Sequence, residues 1–321
     1  MNIKAHTYLS EINAYKPGKS KIGGDSNDVI KLSSNENALG SSPEALNCYK
    51  NHAEAMFRYA DGSCSQLRSA IAQKNKINED QIVCGAGSDE IITFLTTAFA
   101  GPGDEIIYSE HGFLMYPISA KRVGAKAVKA KETNLKTDIE EVLSEITAKT
   151  KIIFIANPNN PTGSYIDEKE VEELINRTPK DILIVLDHAY EEFSQEKDYP
   201  DAIKLVNENE NVVVTRTFSK IYGLASLRIG WCYSSLEIAD ILNKVRGPFN
   251  VGGPAQFAAT AALKDERFFQ DSIQHNKEWL EFFYKEFSKT NKIKAHPSIA
   301  NFILLDFGDI EICKKANQNL L

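Results

Sequence analysis

The sequence predicts an α/β fold: a mostly parallel central sheet with helices on both faces, plus a smaller α+β domain. Three observations carry this expectation. Short β-branched apolar runs recur between about Gln81 and Tyr233, amphipathic helical stretches separate several of them, and a long helical pattern follows Pro254. Buried strands that alternate with helices imply a parallel sheet covered on both sides.

The apolar runs span residues 82–84, 105–108, 151–156, 182–186, 212–215 and 227–232, and the helical patterns span 89–99, 138–146 and 168–175. In such sheets, ligands sit beyond the carboxyl ends of the strands. Each polar cluster described below follows one of these runs, which places a site at that edge. Residues 1–38 read as an arm and connector, with the Gly- and Asn-rich piece KPGKSKIGGDSND and the start of SSNENALGSSP, which runs on to Pro43. Residues 39–262 are expected to form the large domain and 263–321 the small one, with a strand at 301–307 and a helix from Glu311.

A chain of 321 residues is long enough for this arrangement, and 42% hydrophobic with 25% charged residues is ordinary for a globular protein. The net charge of −7 and the lack of a long basic run argue against nucleic acid as a partner. Cys48, Cys64, Cys84, Cys232 and Cys313 are widely spaced, with no CxxC and no histidine at metal-ligand spacing. They are expected to be free buried thiols in a reducing cytosol rather than zinc ligands or disulfides. The start, MNIKAHTYLSEINAY, lacks a signal-peptide apolar stretch, and the apolar segment 91–100 is too short to span a bilayer. A cytoplasmic protein without a membrane partner is therefore expected.

The segment TFSKIYGLASLRIG, 217–230, carries the strongest chemical signal. Lys220 lies at a strand end, just after the hydroxyls of Thr217 and Ser219 and eight residues ahead of Arg228. Burial beside a cation depresses a lysine pKa and frees the amine to attack an aldehyde. The hydroxyls and guanidinium suit a phosphate dianion. In GAGSDE, small residues open a helix at Ser88 and Asp89, where free N–H groups favour phosphate. An ordinary N-cap is the plainer alternative.

In VLDHAYEEF, Asp187 ends an apolar strand. A buried carboxylate there needs a cation or several donors. A pyridinium nitrogen would supply the first, and Tyr190 could donate to a phenolic ring oxygen. His188 reads as structural. In ANPNNPTG the two Asn-Pro pairs mark a rigid turn, Asn160 is available to a ring oxygen, and a cis Asn160–Pro161 bond is expected. Together these residues point to pyridoxal 5'-phosphate held on Lys220 as a Schiff base.

The order GSDE, NNPTG, DxAY and SKxxGLAxxRxG resembles the fold-type I pyridoxal-phosphate aminotransferases, class I/II. Within them the chain is most similar to the histidinol-phosphate aminotransferase family. KLSSNENALGSSP resembles that family's NENPxG signature with Ala38 in place of proline. FRYADGSCSQLRSAIA resembles RYPD…LR with Ala60 in place of proline, and YSEHGFLMYPISA resembles the cofactor-stacking region.

The resemblance implies that Lys220 carries the cofactor and shuttles a proton, with Asp187 on the pyridine nitrogen and Tyr190 and Asn160 on the 3'-oxygen. It places Phe113 on the ring, and Ser88, Asp89, Thr217, Ser219 and Arg228 on the phosphate. Tyr59 would reach the neighbouring subunit's cofactor phosphate, making a homodimer part of the site. Tyr15 and Asn160 would bind substrate. The implied reaction is ping-pong amino transfer between glutamate/2-oxoglutarate and histidinol phosphate/imidazole-acetol phosphate. An aromatic amino-acid aminotransferase, a phosphothreonine decarboxylase-like enzyme and a cofactor-binding but catalytically impaired fragment are the alternatives. The family's later arginine-bearing segment, which completes the small domain and grips the substrate carboxylate, has no counterpart before Leu321. The resemblance therefore implies either a truncated sequence with an incomplete small domain, the favoured expectation, or a protein that has lost this anchor.

Overall fold

The computed structural model describes residues 4–13 and 30–320. After the connector come α1 (Pro43–Asn51), α2 (Ser65–Asn75), β1 (Ile82–Gly85), α3 (Ser88–Phe99), β2 (Glu105–Ser109), α4 (Met115–Arg122) and β3 (Lys126–Ala130). A small hairpin, β4 (Glu132–Thr133) and β5 (Lys136–Thr137), precedes α5 (Ile139–Ser144), β6 (Thr150–Ala156), α6 (Glu168–Arg177), β7 (Leu183–Asp187) and α7 (Ala202–Glu208). Then follow β8 (Val212–Thr217), β9 (Gly230–Tyr233), α8 (Leu236–Val245), α9 (Gly253–Ala262) and α10 (Glu266–Phe287). The chain continues through β10 (Lys294–Ala295), β11 (Leu305–Asp306) and α11 (Ile310–Asn319).

Seven strands form the main sheet in the order β1-β9-β8-β7-β6-β2-β3. The run from β3 to β8 is parallel, while β9 is antiparallel to both neighbours. The sheet is therefore mostly parallel, as expected.

Two apolar layers cover it. Along β7, Ile184 and Leu186 join the layer formed with α2, α6, α7 and α9, while Leu183 and Val185 join the layer formed with α3, α4 and α8. Strand alternation sends successive side chains to opposite faces. A strand buried on both faces must then be apolar throughout, which is why β6, β7 and β8 read as continuous runs.

Several elements differ from the sequence expectation, among them the short strands β4, β5 and β10, which it does not include. Strand β3 was not anticipated: it lies at the sheet edge, where Lys126 and Lys129 point outward and break up the apolar run. Strand β9 starts at Gly230 rather than 227, because Ala225–Leu227 form a 3-10 turn and Arg228 is left-handed with φ 48°. The strand expected at 301–307 is reduced to Leu305–Asp306, since Asn301 bonds the connector instead. All five cysteines are free thiols; Cys64, Cys84 and Cys232 are buried, whereas Cys313 on α11 is exposed, contrary to expectation. Among the described residues, no helix is long and apolar enough to cross a membrane.

The connector packs tightly on the Lys220 loop. Ser41 donates to the Gly223 carbonyl at 2.7 Å, and Asn37 donates to the Ile221 carbonyl at 2.8 Å. Gly223 has φ +65°, and a Cβ there would lie 1.9 Å from the Gly40 carbonyl oxygen. Only glycine meets both demands. Gly223→Ala is expected to lower stability by about 2 kcal/mol or more, measured by urea denaturation.

Candidate active site

Sheet alternation fixes the centre of the site. After Val185 and Leu186, the side chain of Asp187 turns to the α3/α4 face at the carboxyl end of β7. Register places Thr215 of β8 directly beside it. The Thr215 hydroxyl donates to Asp187 Oδ1 at 2.9 Å, and the Tyr116 hydroxyl of α4 donates to Oδ2 at 2.7 Å. Tyr116 is fully buried, with its ring stacked on Phe154 at 4.7 Å.

Burial raises the Asp187 pKa, and the two hydroxyl donors oppose that rise. The Tyr116 hydroxyl is pushed well up, first by burial and then by the Asp187 charge. Among the described residues, no lysine or arginine forms an ion pair with Asp187. A buried carboxylate so placed calls for a cationic partner.

Tyr190 follows three residues later and is buried. Its hydroxyl oxygen accepts from Asn160 Nδ2 and from Asn35 Nδ2, each at 3.2 Å. Burial pushes its pKa up to about 12, against the pull of these donors. The Asn160–Pro161 bond is cis, as the sequence suggested, and Asn157–Pro158 is cis as well.

Lys220 lies just beyond β8. Its Nζ stands 5.4 Å from the centre of the Tyr190 ring and donates to the Ser34 carbonyl at 2.9 Å. Burial lowers its pKa to about 8; the Arg228 cation acts in the same direction, while Asp89, Glu36 and Asp187 oppose it. Hence much of the amine is neutral at mildly alkaline pH.

Beside it lies a concentration of anion-binding groups. Helix α3 begins after Gly87 with no side-chain cap, leaving first-turn amides at Ser88 and Asp89 directed outward. Arg228 donates to Ser219 Oγ at 3.1 Å and pairs with Asp89 at 3.3 Å. A Cβ on Gly87 would meet Arg228 Nη2 at 2.3 Å, so the guanidinium approaches closely only because this backbone carries no side chain. Thr217 Oγ1 accepts from the Ser219 amide at 3.1 Å, closing the turn that presents both hydroxyls.

Phe113 precedes α4 and packs edge-on against Tyr116 with ring centres 5.7 Å apart. Lys220, Asp187, Tyr190, Asn160, Phe113, Ser88, Asp89, Thr217, Ser219 and Arg228 therefore gather at one end of the sheet. Tyr59 does not join them within one chain. It is 86% exposed, stacked on Phe249 at 4.7 Å, and lines a cavity of about 660 Å³ with Met56 and Phe257. Tyr15 lies outside the described residues. His188 is structural: it is buried, with Nδ1 2.7 Å from Glu191, which also pairs with the buried Arg216.

A sequence model of the family "Aminotransferase class I and II" matches residues 27–321. The chain belongs to that family. It is 46% identical over 299 residues to histidinol-phosphate aminotransferase of Paramagnetospirillum magneticum, covering 93% of this chain and 82% of that protein. It is likewise 46% identical over 297 residues to the enzyme of that name from Pelagibacter ubique, covering 92% and 82%. Among solved structures, histidinol-phosphate aminotransferase from Sinorhizobium meliloti with pyridoxal-5'-phosphate superposes with a TM-score of 0.82 at 26% identity, covering 88% of this chain and 77% of that one. Aspartate aminotransferase from Thermus thermophilus shares the fold, with a TM-score of 0.79 at 21% identity, covering 87% and 77%.

This aminotransferase uses pyridoxal phosphate, and its donor set fits that molecule group by group: an amine for the aldehyde, a buried carboxylate lacking a cation, hydroxyl and amide donors, and an anion cradle.

Sequence reasoning missed Tyr116, Thr215, Asn35 and Ser34. Thr215 ends an apolar strand run and reads as core, and Tyr116 lies in YSEHGFLMYPISA, where the resemblance singles out only Phe113. Asn35 and Ser34 belong to the SSNENALG stretch, whose polar character was the available signal. Labelling of the cofactor-free protein at Lys220 by a small amine-directed reagent is expected to rise through about pH 8, quantified by peptide mass spectrometry. A midpoint at the ordinary lysine value of 10.5 would contradict the depressed pKa.

Proposed function

We propose that this aminotransferase moves an amino group between glutamate/2-oxoglutarate and histidinol phosphate/imidazole-acetol phosphate, a step of histidine biosynthesis. The observation that carries the chemistry is the Lys220 amine, depressed to about 8 and set among Asp187, Tyr190 and Arg228. The curated relatives described above support the choice of substrate. Pyridoxal phosphate supplies the electron sink that lets the bond to hydrogen at the substrate Cα break.

In this reading, Lys220 Nζ would be the amine that holds the cofactor through its aldehyde. The same amine, when free, would serve as the group that takes and returns the proton at the substrate Cα. Asp187 would pair with the pyridine nitrogen, and the Tyr116 and Thr215 hydroxyls favour its ionised form against the effect of burial. Tyr190 and Asn160 orient the 3'-oxygen, Phe113 covers a ring face, and Asn160 also meets substrate. The Ser88 and Asp89 amides, with Thr217, Ser219 and Arg228, bind the phosphate. Tyr15 is assigned to the substrate's own phosphate.

Tyr59 is assigned to the cofactor phosphate of a second copy, so the working unit is a homodimer. Its support is the run of exposed apolar side chains at Met56 (65%), Phe57 (80%) and Tyr59 (86%), a cluster that calls for cover.

The decisive measurement is the half-reaction of the holoenzyme followed by absorbance, with one amino donor at a time. Glutamate and histidinol phosphate should each convert the cofactor spectrum, and histidinol phosphate should outpace phenylalanine. Faster conversion by phenylalanine would identify an aromatic amino-acid aminotransferase, and carbon dioxide release from phosphothreonine would identify a decarboxylase. A spectrum that no donor moves would falsify transamination by this chain.

Asp187→Asn leaves the pyridine nitrogen without its charged partner and should cut the half-reaction rate by about a hundredfold or more. Tyr116→Phe removes one of two donors to Asp187 and should cut the same rate by about tenfold.

A further inference from the structure

We propose that Glu132 is a positioning residue that locks the Phe113 loop to the Asn160 loop and so fixes the walls between which the cofactor ring is held. The inference rests on the reading above that Phe113 and Asn160 face that ring.

Glu132 lies in the first strand of the β4–β5 hairpin, outside the main sheet. Its neighbourhood, KAKETNLK, reads as a solvated charged stretch. The side chain is nevertheless only 1% exposed. A buried carboxylate is costly unless donors surround it. Here they come from two different loops.

Oε1 accepts from Ser109 Oγ at 2.5 Å and from the His111 backbone amide at 3.1 Å. Both belong to the chain that leaves β2 and leads to Phe113. The same oxygen accepts from Asn159 Nδ2 at 3.2 Å, and Asn159 immediately precedes Asn160. Oε2 lies 2.8 Å from His111 Nδ1.

The rest of the hairpin reinforces both connections. Thr137 on β5 donates to Ser109 Oγ at 3.1 Å. At the hairpin tip, where Asn134 and Leu135 are left-handed, the Leu135 carbonyl accepts from Ser164 Oγ at 2.8 Å. Ser164 in turn contacts Thr162 at 2.8 Å, and Thr162 accepts from Asn159 at 3.0 Å.

One carboxylate thus sets the spacing between a loop that ends in Phe113 and a loop that ends in Asn160. Hydrogen bonds to a charged group are short and directional, so they hold position better than packing of flexible side chains. The Asn160 end is carried on to Tyr190 by the 3.2 Å bond to its hydroxyl.

The test measures the dissociation constant for pyridoxal phosphate and the visible circular-dichroism band of the saturated holoenzyme. The band reports how rigidly the ring is held and does not follow a mere loss of global stability. Glu132→Ala should raise the dissociation constant by about tenfold and shrink the band. Glu132→Gln keeps an oxygen acceptor for Ser109 and Asn159 and should restore both readouts to within about threefold of wild type.

Should Glu132→Ala not fold, Ser109→Ala and Asn159→Ala each cut a single tie and should each weaken binding by about threefold. Wild-type affinity and band in the Glu132→Ala protein, or in both single-tie variants, overturn the proposal. A Glu132→Gln protein as impaired as Glu132→Ala also overturns it. Phe113→Ala and Asn160→Ala are measured alongside: if neither affects binding, the reading of the ring contacts falls as well. If both weaken it while Glu132→Ala does not, the role of Glu132 alone falls.

Discussion

The site is organised around a carboxylate buried at the end of the central strand β7. Asp187 occupies a place that sheet alternation would otherwise fill with an apolar side chain, since every other residue of that strand belongs to an apolar layer. Water is excluded there, so its charge is held by donors that the protein provides. One comes from the next strand in register and the other from α4, whose Tyr116 is stacked against Phe154 of β6. The packing of α4 on the sheet and the chemistry of the site are therefore one arrangement. Phe113, at the head of α4, takes its place from the same contact.

A second constraint concerns charge. Lys220 and Arg228 lie close enough for the guanidinium to depress the amine, yet Asp89 and Glu36 temper that effect. Asp89 forms its ion pair with Arg228 and not with the amine, leaving Nζ directed at the neutral Ser34 carbonyl. An amine with a neutral acceptor loses its proton more readily than one locked to a carboxylate.

Much of this was legible in the sequence because strand ends announce it. Continuous apolar runs that stop at Asp187 or just before Lys220, and the turn residues around Asn160 and Ser88, mark the open edge of a parallel sheet. The Tyr116 hydroxyl gave no such signal, because a tyrosine between Met115 and Pro117 follows no strand end and reads as packing until its partner across the sheet is known. Glu132 was hidden for the opposite reason: a glutamate between lysines reads as solvated, and only the fold buries it. The edge strand β3 was masked by its outward lysines. Asn35 and Ser34 lay in a stretch that looked like connector, and their role depends on where residues far along the chain come to rest.

That dependence has a kinetic consequence. Tyr190 meets Asn35 across 155 residues, Lys220 meets Ser34 across 186, and Asn301 meets Asn35 across 266. Closing loops of this length is entropically costly and slow compared with local helix or hairpin formation. The connector is made early on the ribosome, yet it has nothing to settle on until the strands bearing Tyr190 and Lys220, and finally Asn301, have emerged. The pocket is consequently a late product of folding, and firm retention of the coenzyme marks a polypeptide whose assembly is finished.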